Sequence, residues 1–272
     1  MLAVRILLWL LGIGAVLYAA VLTLLYFQQE RLLFFPTKLP ADYRFSFAQP
    51  FEERWTTAPD GTRLHGLLFP ADSAESTKGL IFFLHGNGGA LDSWGSTAST
   101  YTRLGYSVFL LDYRGYGKSA GTIRSQAQFL ADVQAAYQQL LPEFLESRTV
   151  IMGYSLGTGA AAWLAAQQHP RLLVLQAPFY SMRAVAKQHY PAVPGFVVRY
   201  PLSTDEVLPR VACPVVIFHG DQDDVIDYQT TRQLKKLLKP QDRFITLPGV
   251  GHNGMTEEPA YQQAIGQILA TP

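Results

Sequence analysis

Gly153-Tyr154-Ser155-Leu156-Gly157 stands between a short apolar run, residues 149–152, and a helical pattern that begins at Leu156. A serine on so sharp a strand-to-helix turn takes a strained backbone that lifts its hydroxyl clear of the sheet. Glycines two positions to either side let the chain pack closely around it. The free N–H groups that open the following helix face any negative charge developing nearby. Ser155 is therefore a candidate nucleophile. On these five residues alone, a glycine-rich turn that only packs an alanine-rich helix is the alternative.

A serine hydroxyl needs a base, and the base needs an orienting carboxylate. Residues 214–218 form an apolar run that reads as a buried strand and ends in His219-Gly220-Asp221-Gln222-Asp223-Asp224-Val225-Ile226-Asp227. A helical stretch, 228–238, a short strand, 244–247, and the loop Gly249-Val250-Gly251-His252-Asn253 follow. One helix and one strand separate the carboxylates from His252, so both can reach the sheet edge that carries Ser155.

The wider pattern predicts an α/β class fold. Residues 55–57 and 64–69, separated by the Pro59-Asp60-Gly61 turn, predict a leading hairpin. Short apolar strands follow at 80–84, 107–111, 149–152, 172–175, 215–218 and 244–247. Helical patterns separate most of them; in residues 126–141, Phe129, Val133, Ala136, Tyr137 and Leu140 recur at helical spacing. Such alternation implies a mostly parallel central sheet with helices on both faces. Between Pro178 and Ala212 the chain is short and interrupted by Pro191, Pro194, Pro201 and Pro209, which leaves room for a small cap but no cap domain.

Six blocks together carry a family resemblance: Pro59-Asp60-Gly61-Thr62-Arg63-Leu64-His65-Gly66, Leu84-His85-Gly86-Asn87-Gly88-Gly89, Asp112-Tyr113-Arg114-Gly115-Tyr116-Gly117-Lys118-Ser119, the Ser155 pentapeptide, His219 through Asp223, and Gly251-His252-Asn253. In this order the chain resembles the α/β-hydrolase superfamily. The likeness is strongest to membrane-anchored α/β-hydrolase-domain and bud-emergence-like hydrolases, grouped with serine-aminopeptidase-like domains. It spans roughly residues 50–270. The resemblance implies an α/β-hydrolase fold with Ser155 as nucleophile, Asp223 as acid and His252 as base, working without a cofactor. Asp223 matches because it stands third after Gly220; Asp224 is the alternative, while Asp221 and Asp227 suit turn or capping roles. The implied oxyanion hole uses the backbone N–H groups of Asn87 and Leu156. His85 and His219 fit loop hydrogen bonding, and His65, His169 and His189 have packing or surface roles as their default.

Other chemistries lack their signatures. Gly157-Thr158-Gly159-Ala160-Ala161-Ala162 imitates a dinucleotide fingerprint, yet no Asp or Glu occurs between it and Asp205 to hold a ribose. A calcium loop from Asp221 would place Ile226 at the sixth position and Arg232 at the twelfth, where Gly and Glu are needed. No metal is expected. Cys213 is the only cysteine, so neither an internal disulfide nor a thiolate zinc cluster can form. A net charge of +1, with no basic run beyond Lys235-Lys236, gives no footprint for nucleic acid.

Residues 6–27 contain no charge. At 1.5 Å per residue, about 22 residues could cross a hydrocarbon layer of about 30 Å. The segment reads as a single-pass membrane anchor, with a cleaved signal peptide as its rival. Arg5 and the terminal amine on one side nearly balance Arg31 and Lys38 on the other. The short N-terminal tail tips the expectation toward a catalytic domain outside the cytosol. The expected organisation is an anchor at 1–29, a connector at 30–49 that rests on the membrane or covers the sheet edge, and a catalytic domain at 50–272. The resemblance admits lysophospholipid, fatty-acyl thioester, simple ester and peptide substrates. An anchor favours an amphiphilic acyl substrate, with a peptidase or a noncatalytic binding protein of the same fold as the other readings.

Overall fold

The computed structural model describes residues 1–72 and 77–270. Eight strands form its main sheet: β1 (Glu52–Thr57), β2 (Arg63–Phe69), β3 (Gly79–Leu84), β4 (Tyr106–Leu111), β5 (Thr149–Tyr154), β6 (Leu172–Gln176), β7 (Val215–Gly220) and β8 (Arg243–Leu247). Their order across the sheet is β8-β7-β6-β5-β3-β4-β2-β1. β2 pairs antiparallel with β1 and β4. The remaining neighbours are parallel.

Both faces of the central strands are buried, so their sequences are apolar throughout rather than alternating. On β3, Leu80, Phe82 and Leu84 enter one core while Ile81 and Phe83 enter the other. The longer helices are α1 (Leu2–Phe27), α2 (Gln126–Leu140), α3 (Leu156–Ala165), α4 (Met182–His189) and α5 (Pro259–Ala270). α2 starts where the Ser125 hydroxyl accepts from the Gln128 N–H at 3.1 Å. It buries Phe129, Val133, Ala136, Tyr137 and Leu140 in the first core. α5 buries Tyr261, Ile265 and Leu269 in the second. Each buried Leu, Ile or Phe side chain contributes on the order of 1.5–3 kcal/mol.

The segment expected as one helix over 228–238 is instead a helical turn, Tyr228–Thr231, followed by a 3-10 helix, Arg232–Leu237. Asp227 caps its start, accepting from the Gln229 and Thr230 N–H groups. The Thr231 hydroxyl donates to the Pro178 carbonyl at 2.8 Å. That tertiary bond ties the turn to the segment that follows β6.

α1 is the one helix among the described residues long and apolar enough to cross a membrane, and none of its side chains is buried, although Leu22 and Leu25 are partly covered. Residues 30–49, read from sequence as a connector, are packed into the fold. Phe34 enters the first core, against Phe129 and Tyr200, while Leu39 and Phe45 enter the second. Phe35–Pro36 pairs in parallel with Gly88–Gly89.

Arg114 fastens the sheet's other loops. Its guanidinium binds Asp60 at 2.7 and 2.8 Å and the Thr62 hydroxyl at 2.9 Å, and it pairs with buried Asp132. The bond from Arg114 holds Asp60 well below the usual carboxylate range. Burial pushes Asp132 up against the same guanidinium's opposing pull. The Pro59-Asp60-Gly61 turn and the Asp112-to-Ser119 block are thus two halves of one clamp.

Candidate active site

Ser155 sits at the turn between β5 and α3 with φ 48 and ψ −115, a conformation that L residues rarely adopt. The flanking glycines are enforced by contact. A Cβ on Gly157 would lie 2.1 Å from the Leu84 carbonyl oxygen, and one on Gly153 would lie 2.6 Å from the Gly157 carbonyl oxygen. No other side chain fits at either position without moving backbone.

The structure brings Ser155, His252 and Asp223 together. His252 Nε2 lies 3.0 Å from Ser155 Oγ, and His252 Nδ1 lies 2.8 Å from Asp223 Oδ2. Ser155 and His252 are both buried, and the Asp223 side chain is fully so. Asp223 leaves the end of β7, while the His252 loop follows β8; their parallel pairing brings both to the edge where β5 ends. Asp224, the alternative acid, is exposed. Asp221 instead accepts from the Gly249 N–H at 2.7 Å, which holds the His252 loop against β7.

Asp223 is saturated with donors. Its Oδ1 accepts the N–H groups of Val225 at 2.9 Å and Ile226 at 2.8 Å. Its Oδ2 faces both His252 and His219, the latter with Nε2 at 3.1 Å. Burial alone would raise this carboxyl. Hydrogen bonds from His219 and His252, the charge of His252 and the Ile226 N–H outweigh burial and hold it well below the usual carboxylate range. The sequence reads His219 as a loop histidine, and its place beside Asp223 carries no local signal beyond the spacing of four residues.

Tyr154, the residue before the serine, donates its hydroxyl to the His252 carbonyl at 2.5 Å. Burial pushes its phenol up to about 12, so it remains a donor at neutral pH.

Residues 85–89 form the other wall. A Cβ built on Gly86 would lie 3.8 Å from Ser155 Cβ, which places this loop beside the serine. Its successive carbonyls are each held. Tyr113 donates to His85 O at 2.8 Å, and His85 Nδ1 lies 2.7 Å from Gly86 O. Tyr116 and the Phe35 N–H donate to Asn87 O at 2.7 and 3.0 Å, Trp94 donates to Gly88 O at 2.8 Å, and the Thr37 N–H donates to Gly89 O at 3.0 Å. Fixing the carbonyls fixes the peptide planes, and with them the direction of the Asn87 N–H. Burial lowers the pKa of His85 and favours its neutral form. Two of these bonds come from the segment that leaves α1, so the loop beside Ser155 is braced by the chain nearest the apolar helix.

Asn87, Leu156, Ser155 and His252 line a cavity of about 830 Å³, toward the upper end of the range of about 300–1,000 Å³ usual for small-molecule sites. Its remaining wall is mostly apolar, including Leu25, Leu32, Phe179, Val185 and Val197. No Asp, Glu, Lys or Arg is among its described lining residues. Among the described residues, no group of three or more His, Cys, Asp or Glu side chains is placed to hold a metal ion.

A sequence model of the family described as serine aminopeptidase, S33, matches residues 75–205. An uncharacterized protein of Mycobacterium tuberculosis is 33% identical over 247 residues, covering 89% of this chain and 86% of that protein. The lysophosphatidylserine lipase ABHD12 of Danio rerio is 29% identical over 322 residues, covering 98% of this chain and 84% of that protein. Among solved structures, an esterase of Pyrococcus furiosus superposes with a TM-score of 0.68 at 14% identity, over 87% of this chain and 97% of that one. Est1E of Butyrivibrio proteoclasticus, with ferulic acid bound, gives 0.66 at 19%, over 79% and 97%. The sheet order and the serine turn define an α/β-hydrolase fold. The chain belongs to the α/β-hydrolase superfamily.

Proposed function

We propose that the chain is a membrane-anchored serine hydrolase that cleaves a carboxylic ester or thioester of an amphiphilic acyl substrate through an acyl-enzyme. The observation that carries this reading is the hydrogen-bonded line from Asp223 through His252 to Ser155, at 2.8 and 3.0 Å. It ends in a largely apolar cavity. His252 Nε2 takes the Ser155 proton as Oγ attacks the acyl carbon. The N–H groups of Asn87 and Leu156 hold the oxyanion. His252 returns the proton to the leaving group, then activates the water that releases the acyl chain. Asp223 keeps a proton on His252 Nδ1 and stabilises the imidazolium. These steps need no cofactor.

The relative named a lysophosphatidylserine lipase supports an acyl-lipid substrate. Removing an amino-terminal residue from a peptide calls for a carboxylate near the α-ammonium group, and the described cavity lining has none. The acyl reading is therefore preferred to the peptidase one. Measuring kcat/KM over esters of graded acyl length, beside aminoacyl amides, tests it. kcat/KM is expected to rise by up to about fourfold per methylene until the apolar wall is covered. Faster cleavage of the amides would reverse the substrate class, and no cleavage of any ester would remove the reading altogether.

In this proposal residues 1–29 anchor the chain, 30–49 join the anchor to the domain, and 50–272 carry the catalytic groups. In the proposed orientation the domain lies outside the cytosol. A C-terminal tag on sealed right-side-out vesicles is then expected to be digested by added protease. A protected tag would reverse the orientation without touching the chemistry.

A further inference from the structure

Tyr18, within α1, donates its hydroxyl to the Ala192 carbonyl of the cap at 2.6 Å. α1 has 26 residues, about 39 Å of helix against a hydrocarbon layer of about 30 Å, so some 9 Å is in excess. Tyr18 lies nine residues before Phe27, about 13 Å back along the axis. Even with all the excess at this end, Tyr18 is about 4 Å inside the hydrocarbon. A cap loop bonded to it shares that depth.

The loop has the chemistry for such a place. Residues 190–198, Tyr-Pro-Ala-Val-Pro-Gly-Phe-Val-Val, carry no charge, although loops facing water are usually polar. Tyr190 and Phe196 are 64% and 79% exposed in the isolated chain. Backbone groups in hydrocarbon must be paired internally. Two residues of the loop are prolines without N–H groups, and four of its seven N–H groups, those of Tyr190, Val193, Val197 and Val198, bond to carbonyls at 2.7, 2.9, 3.0 and 3.2 Å. The Val197 carbonyl accepts from Gln29 at 2.6 Å. Immediately after the loop, Arg199 pairs with Glu30 at 2.9 Å and lies over the Tyr26 ring. This charged and aromatic girdle marks the level where the bilayer gives way to headgroups. The serine's cavity is lined by Leu25 of α1, by Leu32 shortly after it, and by Val193 and Val197 of this loop.

We propose that loop 190–198 is inserted in the bilayer beside α1, and that the cavity opens sideways between them into the acyl layer. An acyl chain then reaches Ser155 from the leaflet without crossing water. The inference rests on α1 being a membrane span and on Ser155 being the nucleophile.

The test uses the full chain in phosphatidylcholine vesicles, with a nitroxide attached at Phe196→Cys or at Leu17→Cys, each in a Cys213→Ser background. Accessibility to oxygen against a water-soluble nickel chelate reads the depth of each label. Both labels are expected to favour oxygen and exclude nickel. A buried Leu17 label with a nickel-accessible Phe196 label would overturn the inserted loop and keep the anchor. A nickel-accessible Leu17 label would overturn the anchor as well. Phe196 does not line the cavity, so Phe196→Asp provides a second readout. The ratio of kcat/KM for a vesicle-embedded long-chain ester to that for a soluble short-chain ester is expected to fall about tenfold. An unchanged ratio would overturn entry from the leaflet, and absence of turnover on both esters in the parent chain would instead overturn the hydrolase reading.

Discussion

Replacing Ser155 by alanine is expected to abolish covalent labelling by a fluorophosphonate and to lower kcat/KM by about 10⁴- to 10⁶-fold. The size of the loss follows from what the hydroxyl alone does. Ser155 Oγ is the atom that faces His252 Nε2 at 3.0 Å, while the residue's backbone bond to the Gln176 carbonyl, 2.9 Å, does not depend on the side chain. Alanine keeps the strained turn at φ 48 and removes only the group that bonds to carbon. The variant should therefore fold, bind substrate and hold its thermal midpoint. Binding and oxyanion contacts leave a residual rate above that in water. A folded Ser155→Ala chain with near-normal turnover would remove the acyl-enzyme mechanism.

The strands were legible because a sheet covered on both faces must be apolar along its whole length. Residues 80–84 and 149–152 declare themselves for that reason, and the structure extends each by one or two residues at its ends. α2 was legible because its apolar residues fall on one face. The 3-10 helix at Arg232–Leu237 was not: its sequence suits an α-helix, and nothing in its local pattern marks the tighter winding. The same division holds at the site. Ser155 and His252 sit in short motifs readable along the chain, although the contact that enforces Gly157 comes from Leu84. By contrast, the bond from Tyr154 to the His252 carbonyl, or from Phe35 to the Asn87 carbonyl, joins segments whose separation carries no sequence period. The connector shows the limit most clearly. It reads as a link that rests on the membrane or covers the sheet edge, and nothing in it marks Phe34, Leu39 and Phe45 as parts of cores built by residues far along the chain.

His252→Ala and Asp223→Asn are expected to be strongly non-additive. Alone, they should cost about 10⁶ and about 10⁴ in kcat, and together no more than about the larger of the two, because both serve one proton transfer. Asparagine fails at position 223 for a countable reason. Asp223 accepts on both oxygens, from Val225 and Ile226 at Oδ1 and from the two histidines at Oδ2. An amide has one acceptor end and one donor end, so either way round it sets its NH₂ group against existing donors. The favoured tautomer of His252 is lost with it. The pH dependence follows from the lowered pKa of Asp223. Its contribution to stability is fully present above the unfolded value of about 3.9 and is lost as pH falls toward its lower folded value. Asp223 is thus ionised throughout any assay above about pH 5, and its own titration does not set the pH–rate profile there. Full activity in Asp223→Asn with loss of activity in Asp224→Asn would move the acid to the neighbouring residue. A double variant whose deficit equals the product of the two single deficits would separate Asp223 from the proton transfer altogether.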